Sequence, residues 1–239
     1  MDAKLRQLQE HVAKTIGLEP DSWPSRPQGY PDRIEAALID SVFSLRAVYG
    51  TSRSVGPRAV VQRWQEAVSR PLNSLRQLVA DVDGLGGPDE FRRVLKHDGV
   101  AVPNAPDKPS KALAVYDSSV ALARVGVDTA DDARKMRSEA EKELLRAIRA
   151  GRGVGLQAAT YFLMNLGVPG VKADVMVKKF VSDALGEDVS EREAADLVSA
   201  SAALLAVDLI HLDHAIWMHG SEGARSRRRR GRSPVADTF

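Results

Sequence analysis

The stretch GRGVGLQAATYFLMNLGVPGVKADVMVKKF, Gly151 to Phe180, concentrates the residue types in this chain that could do chemistry. Gly151, Gly153 and Gly155 alternate with Arg152 and Val154, an apolar run follows, and Asp174 stands beyond a second Gly/Pro turn. Glycine tolerates positive φ and leaves the backbone bare, so the amides of such a turn can point at an anion, helped by the partial positive charge of the following helix N-terminus. A phosphate is then held without a lysine, and backbone is read rather than sequence. The same glycines equally suit an αα-hairpin that packs closely. Taken alone, they leave both readings open.

Asp174 opens a helix after the turn GVPGVKA. A helix N-cap is a common structural use of aspartate. Amide hydrogen bonds and the helix dipole favour a charged carboxylate at such a position. Facing a cleft, that carboxylate can stabilise an oxocarbenium-like sugar and activate a water. A phosphate-gripping turn followed one helix later by such an aspartate would clamp a nucleic-acid strand beside the acid.

The elements that must position these residues read as helices. Residues 2–16 are amphipathic, and EPDSWPSRPQGYP at 19–31 is a loop. Pro31 opens DRIEAALIDSVFSLRAVYG, where Ile34, Leu38, Val42 and Leu45 recur at helical steps, and Pro57 sits early in another helix. Short helices are expected at 72–82 and 88–96, then a loop at 97–109 and a helix over KALAVYDSSVALARVG. The charged stretch from 127 to 150 reads as one helix, capped by Thr129 or Asp131. The hairpin helix then begins at Leu156, and VKADVMVKKFV reads as helix because Val177, Phe180, Val181 and Ala184 keep helical spacing and Gly186 supplies a stop. A final helix is expected over 190–218. The fold class is therefore all-α, about ten helices in one two-lobed domain with a cleft between the lobes.

Length and composition agree with this. The 239 residues are 44% hydrophobic but only 5% aromatic, which suits helix packing. The absence of cysteine excludes disulfides, thiol nucleophiles, cysteine-ligated zinc and iron–sulfur clusters. No apolar run reaches about 18 residues and the N-terminus is polar, so neither a membrane span nor a signal peptide is expected, and a cytoplasmic location is. The net charge of +2 is unevenly spread. Six arginines (Arg225, Arg227, Arg228, Arg229, Arg230, Arg232) against Glu222 and Asp237 make residues 221–239 +4 and the remaining body −2. That end reads as a disordered basic tail, suited to phosphate backbones or acidic surfaces and equally to a solubilising role.

GRGVGLQAATYFLMNLG followed by VKADVMVKKFV resembles the helix-hairpin-helix/Gly-Pro-Asp superfamily of DNA glycosylases, typified by endonuclease III and the alkyl-purine glycosylases. Gly153, Val154, Gly155 and Ala159 match the family hairpin, while Ala158 stands where it carries Thr and Arg152 where it carries Pro. The family's catalytic aspartate falls on Asp174. SVFSLRAVYG resembles an upstream family helix whose glutamine position falls on Arg46. The likeness spans roughly 32–219. It divides the chain into 1–30, an N-terminal helix and Pro-rich loop; 31–220, the glycosylase-like helical domain; and the tail 221–239.

The resemblance implies a monofunctional DNA glycosylase of base-excision repair, acting on double-stranded DNA that contains a damaged or modified base, in the cytoplasm or, in a bacterium, at the nucleoid. Gln157 occupies the position of the Schiff-base lysine of bifunctional members, so lysine-dependent strand cleavage is not expected. The implied DNA-binding residues are Arg152, Gly153, Val154, Gly155, Gln157, Arg46 and Lys172. No cofactor is implied other than a monovalent cation at the hairpin. Arg46 lies where relatives carry a wedge residue, though a solvent-facing helix arginine fits as well. Tyr49 could line a base pocket or the core. Trp217 could stack on a flipped base, although a core tryptophan is the stronger reading. In LIHLDHAIWMH, the face Leu209, Leu212, Ala215 and Ile216 leaves His211, Asp213, His214 and His219 to another face or to pairing with neighbouring helices, and no metal site is expected. Two further readings stand beside the enzyme: a noncatalytic helix-hairpin-helix DNA-binding protein in which Asp174 is only a cap, and a helical interaction module whose glycines serve packing.

Overall fold

Nearly every stretch with apolar residues at three- and four-residue steps is helical in the computed structural model, which describes residues 2–47 and 56–230, with side chains over 3–47 and 56–221. Twelve α-helices and one 3-10 turn, Pro20–Ser22, account for the described residues, with an isolated antiparallel bridge between Val100 and Ser110 and no strand. The all-α expectation holds. The chain divides into two compact units, Met1–Pro27 with Pro169–Phe239, and Gln28–Val168.

The unit Gln28–Val168 is built on α2 (Ile34–Phe43), all ten residues of which are buried. Packed on it are α3 (Pro57–Val68), α4 (Leu75–Leu85), α6 (Lys111–Arg124) and α9 (Leu156–Asn165); α5 (Pro88–Leu95), α7 (Ala130–Glu139) and α8 (Glu141–Ile148) complete the unit. Trp64, Phe91, Phe43 and Phe162 are the largest side chains of its core. A helix buried on every side must satisfy its polar residues internally. Glu35 does so through Arg70 at 2.7 Å, the Trp64 indole N–H at 3.0 Å and the Ser74 amide at 3.3 Å. Arg70 in turn bridges to Asp81, its Nε at 2.9 Å.

In the other unit, α1 (Asp2–Thr15), α10 (Val175–Leu185), α11 (Glu191–Leu205) and α12 (Leu209–Arg230) enclose Leu8, Val12, Trp23, Phe180, Val181, Val198 and Ile216. The stretch 1–30 is therefore divided: α1 shares its core with α10–α12 of the same unit, whereas residues 28–30 belong to the unit Gln28–Val168.

Four local expectations need correction. Instead of one helix over 127–150, the chain bends at Ala140 (φ −146°, ψ 50°), so that α7 buries Ala130 and Ala133 and α8 buries Leu144, Ala147 and Ile148. Thr129 is the cap of α7, in a reciprocal capping box with Asp132. The expected helix over 190–218 is broken by Ala206 in the left-handed region, and α11 and α12 meet at 119°. Asp208 starts the second piece by accepting the His211 amide at 2.8 Å. Beyond 220, where disorder was expected, the backbone stays helical to Arg230. Arginine has high helix propensity, and its charge favours the negative end of the helix dipole. Residues 231–239 lie outside the described residues. Finally, α2 stops at Phe43, so Arg46 is not a helix-face residue but stands in a turn with φ 54°.

Candidate functional site

The turn joining α8 to α9 is pinned from α6. Ser118 Oγ donates to the Ile148 carbonyl at 2.7 Å and accepts the Gly151 amide at 3.2 Å. A Cβ on Gly151 would come within 2.2 Å of the Ala114 carbonyl oxygen. Gly153 has φ +86°, and its Cβ would lie 2.7 Å from the Ala101 carbonyl oxygen and 2.9 Å from Val102. These two glycines therefore serve close packing. Gly155 is different: it is exposed, has an ordinary φ of −83°, and a Cβ there would meet nothing within 4 Å. As N-cap of α9 it brings no side-chain cap, and the amides of Gly153, Gly155 and Leu156 meet no hydrogen-bond partner among the described residues.

Val154 is buried, which anchors the turn, and Gln157 is half-buried at the second position of α9. Arg152 is exposed and pairs with Asp107, its Nη2 donating to Oδ1 at 3.1 Å and its Nη1 to Oδ2. Arg46 donates from Nη2 to the Ala101 carbonyl. Arg46, Arg152 and Gly153 thus all engage one loop, residues 97–110. Tyr49 lies outside the described residues.

Lys111, which the sequence did not single out, supports the same loop. Its buried Nζ donates to the carbonyls of Phe43 at 3.0 Å and Leu45 at 2.6 Å, closing the C-terminal end of α2. Burial, then the charge of Arg46, brings its ammonium down to about 8. Beside it, His97 sits edge-on to Phe43 at 4.9 Å and accepts the Gly99 amide at 2.9 Å. Burial and Lys111 lower the pKa of His97.

In the other unit, Asp174 is the N-cap of α10, as expected. Its Oδ1 accepts both the Met176 amide at 2.9 Å and the Val177 amide at 3.3 Å. No hydrogen bond reaches Oδ2 among the described residues, and the side chain is half-buried beside the exposed Val175. One oxygen caps the helix, and the other takes no part in the cap. Lys172 is half-buried. Lys178 and Lys179 pair with Asp188 and Asp183 at 3.0 and 2.6 Å.

Of the two expectations for Asp213, pairing with a neighbouring element is the one it follows: it is 6% exposed, and its Oδ1 accepts the Lys172 amide at 3.0 Å. Burial, followed by the charge of Asp174, pushes its carboxyl up to about 8 against the opposing pull of that hydrogen bond and of Lys172. Trp217 is half-buried and stacked on His214, ring centroids 6.2 Å apart. His211 meets the Pro24 carbonyl at 3.2 Å and His219 lies edge-on to Phe180. Among the described residues no three histidine, aspartate or glutamate side chains converge as metal ligands, and no single helix is long and apolar enough to cross a membrane.

The fold and these two sets of residues define an all-helical protein of two units, one carrying a glycine turn with open amides and the other an aspartate at a helix start. The chain belongs to the family described as a domain of unknown function (DUF8548), whose model matches residues 6–221. No curated protein and no solved structure matches it.

Proposed function

We propose that this protein is a monofunctional DNA glycosylase that hydrolyses the N-glycosidic bond of a damaged or modified base in double-stranded DNA. The observation that carries the reading is Asp174. Its capping bonds fall on one carboxylate oxygen and leave the other without a hydrogen bond. Such a carboxylate can stabilise the positive charge that develops on the sugar as the base departs with the bonding electrons, and take a proton from the attacking water. The products are a free base and an abasic sugar. With Gln157 where a Schiff-base lysine would stand, the strand stays intact.

In this reading α8, the glycine turn and α9 form a helix-hairpin-helix. Gly155 and the open amides at the start of α9 hold a strand phosphate, with any monovalent cation bound at the same turn. Arg152, Arg46 and Lys172 add backbone contacts. The protein then works where DNA is, in the cytoplasm or at a nucleoid.

The test is a panel of duplexes carrying uracil, alkylated purines, oxidised purines or mismatches, followed by hot alkali to cut abasic sites. Alkali-dependent cleavage that disappears in Asp174→Asn is the expected result, because asparagine retains the cap but not the charge. A second reading is favoured by the two amide bonds Asp174 does make: a noncatalytic DNA-binding protein in which it is only a cap. Salt-sensitive duplex binding with no abasic site from any lesion would establish that reading instead.

A further inference from the structure

The turn that presents Asp174 is held from beneath by a second carboxyl. The Asp174 amide folds back on the Lys172 carbonyl at 2.6 Å, a tight turn of three residues. The amide at the start of that turn, on Lys172, donates to Asp213 Oδ1 at 3.0 Å from α12. Asp213 is 6% exposed and forms no ion pair among the described residues. Around it, the charged side chains of α10 and α11 are engaged elsewhere: Lys178 with Asp188, Lys179 with Asp183, Glu193 with Lys4 and Arg192 with Asp196. On its own helix His211 faces Pro24, His214 stacks on Trp217 and His219 meets Phe180. Among the described residues, Asp174 and Lys172 are the charged groups that act on it. Burial of a carboxyl favours its neutral form, and a nearby negative charge acts in the same direction.

We propose that Asp213 is a positioning residue for Asp174, anchoring the 172–174 turn by accepting the Lys172 amide. The inference rests on the reading of Asp174 as the catalytic carboxylate. A neutral Asp213 gives the turn an acceptor without a second negative charge. Ionisation of Asp213 through about pH 8 places a charge in a buried position beneath the Lys172 amide and loosens the turn.

The test uses the full chain and three variants, Asp213→Asn, Asp213→Leu and Asp174→Asn, with two readouts. The first is the carboxyl carbon signal of Asp213 in protein labelled at aspartate, followed from pH 4 to pH 10. It should titrate near pH 8 in the parent and move down in Asp174→Asn. The second is the single-turnover yield of abasic sites against pH. The parent should lose rate above pH 8. Asp213→Asn should match the parent at pH 7 and lack that alkaline fall, and Asp213→Leu should lose tenfold or more at every pH. An Asp213 that titrates in the ordinary carboxylate range, or an Asp213→Asn as impaired as Asp213→Leu at pH 7, overturns the proposal. A raised, Asp174-dependent titration in a protein that releases no base upholds the coupled pair and strikes down the glycosylase reading instead.

Discussion

Gly153 lies so close to the Ala101 carbonyl that a Cβ on it would stand 2.7 Å from that oxygen, and its φ of +86° belongs to the left-handed region. Gly155, two residues on, has open space and an ordinary φ. Adjacent glycines in one turn therefore do different work: the first lets two backbones meet, the second keeps a surface bare.

Alanine substitutions should separate these roles. Gly153→Ala is expected to cost about 1–3 kcal/mol from strain at positive φ, with contact against Ala101 and Val102 adding to it. Thermal melting should show a fall of roughly 2–4 °C for each kcal/mol. Gly155→Ala should melt like the parent and, if the turn holds a phosphate as proposed, bind duplex DNA more weakly because its methyl would occupy that space. Equal melting temperatures for the two variants would contradict the assignment.

The pair Arg152–Asp107 is exposed on both sides, so it contributes little to stability. If the protein binds DNA as proposed, the consequence is for binding, since Asp107 competes with a phosphate for Arg152. Asp107→Ala should raise duplex affinity a few-fold, and Arg152→Ala should lower it and reduce the salt slope of log K by about one. Affinity titrations at several salt concentrations decide the matter.

Glu35 presents the opposite case, a fully buried carboxylate whose charge is matched by Arg70. Burial raises its pKa against the pull of Arg70 and the Trp64 indole. Arg70→Met should destabilise the unit Gln28–Val168 by about 3–5 kcal/mol, because it leaves an uncompensated charge inside. Adding Glu35→Gln should recover part of that loss in urea unfolding.

Asp213 carries a stability signature independent of catalysis. Its folded-state pKa, about 8, exceeds that of an unfolded aspartate, so the native state holds an extra proton between the two values. The stabilisation is complete below the ordinary carboxylate range and is lost as pH rises through about 8. Asp213→Asn lacks this dependence. Its melting temperature should gain on the parent's steadily from pH 5 to pH 9, and parallel curves would mean that Asp213 is not protonated in the fold.

Much of the framework was legible from local signals. Pro57 at the start of α3, the Leu156 start of α9, Asp174 as the cap of α10 and Gly186 as its stop are each encoded within a few residues. The breaks at Ala140 and Ala206 were not. The stretches around them keep helical composition, and only packing against other helices decides where the axis turns. Asp213 escaped for a related reason. It sits among histidines and beside an apolar stripe, so its own neighbours in sequence do not choose between another face and a pairing, whereas its burial comes from the turn at 172–174. A buried Lys111 was equally hidden, because its partners are backbone carbonyls that sequence does not mark.

By itself, the sequence determined the all-α class, most helix starts and the placing of Asp174 at a helix N-terminus, because periodicity, caps and glycine stops act over a turn or two of chain. It also set the chemistry available, since a chain without cysteine and with Gln157 after its glycine turn has no thiol and no amine there. Tertiary structure alone decided which glycines pack and which stays open, that Arg46 and Arg152 meet the loop 97–110, and that a second carboxyl lies under Asp174. Those facts depend on residues far apart in sequence, and burial, which shifts charges and forbids a Cβ, exists only once the chain has folded.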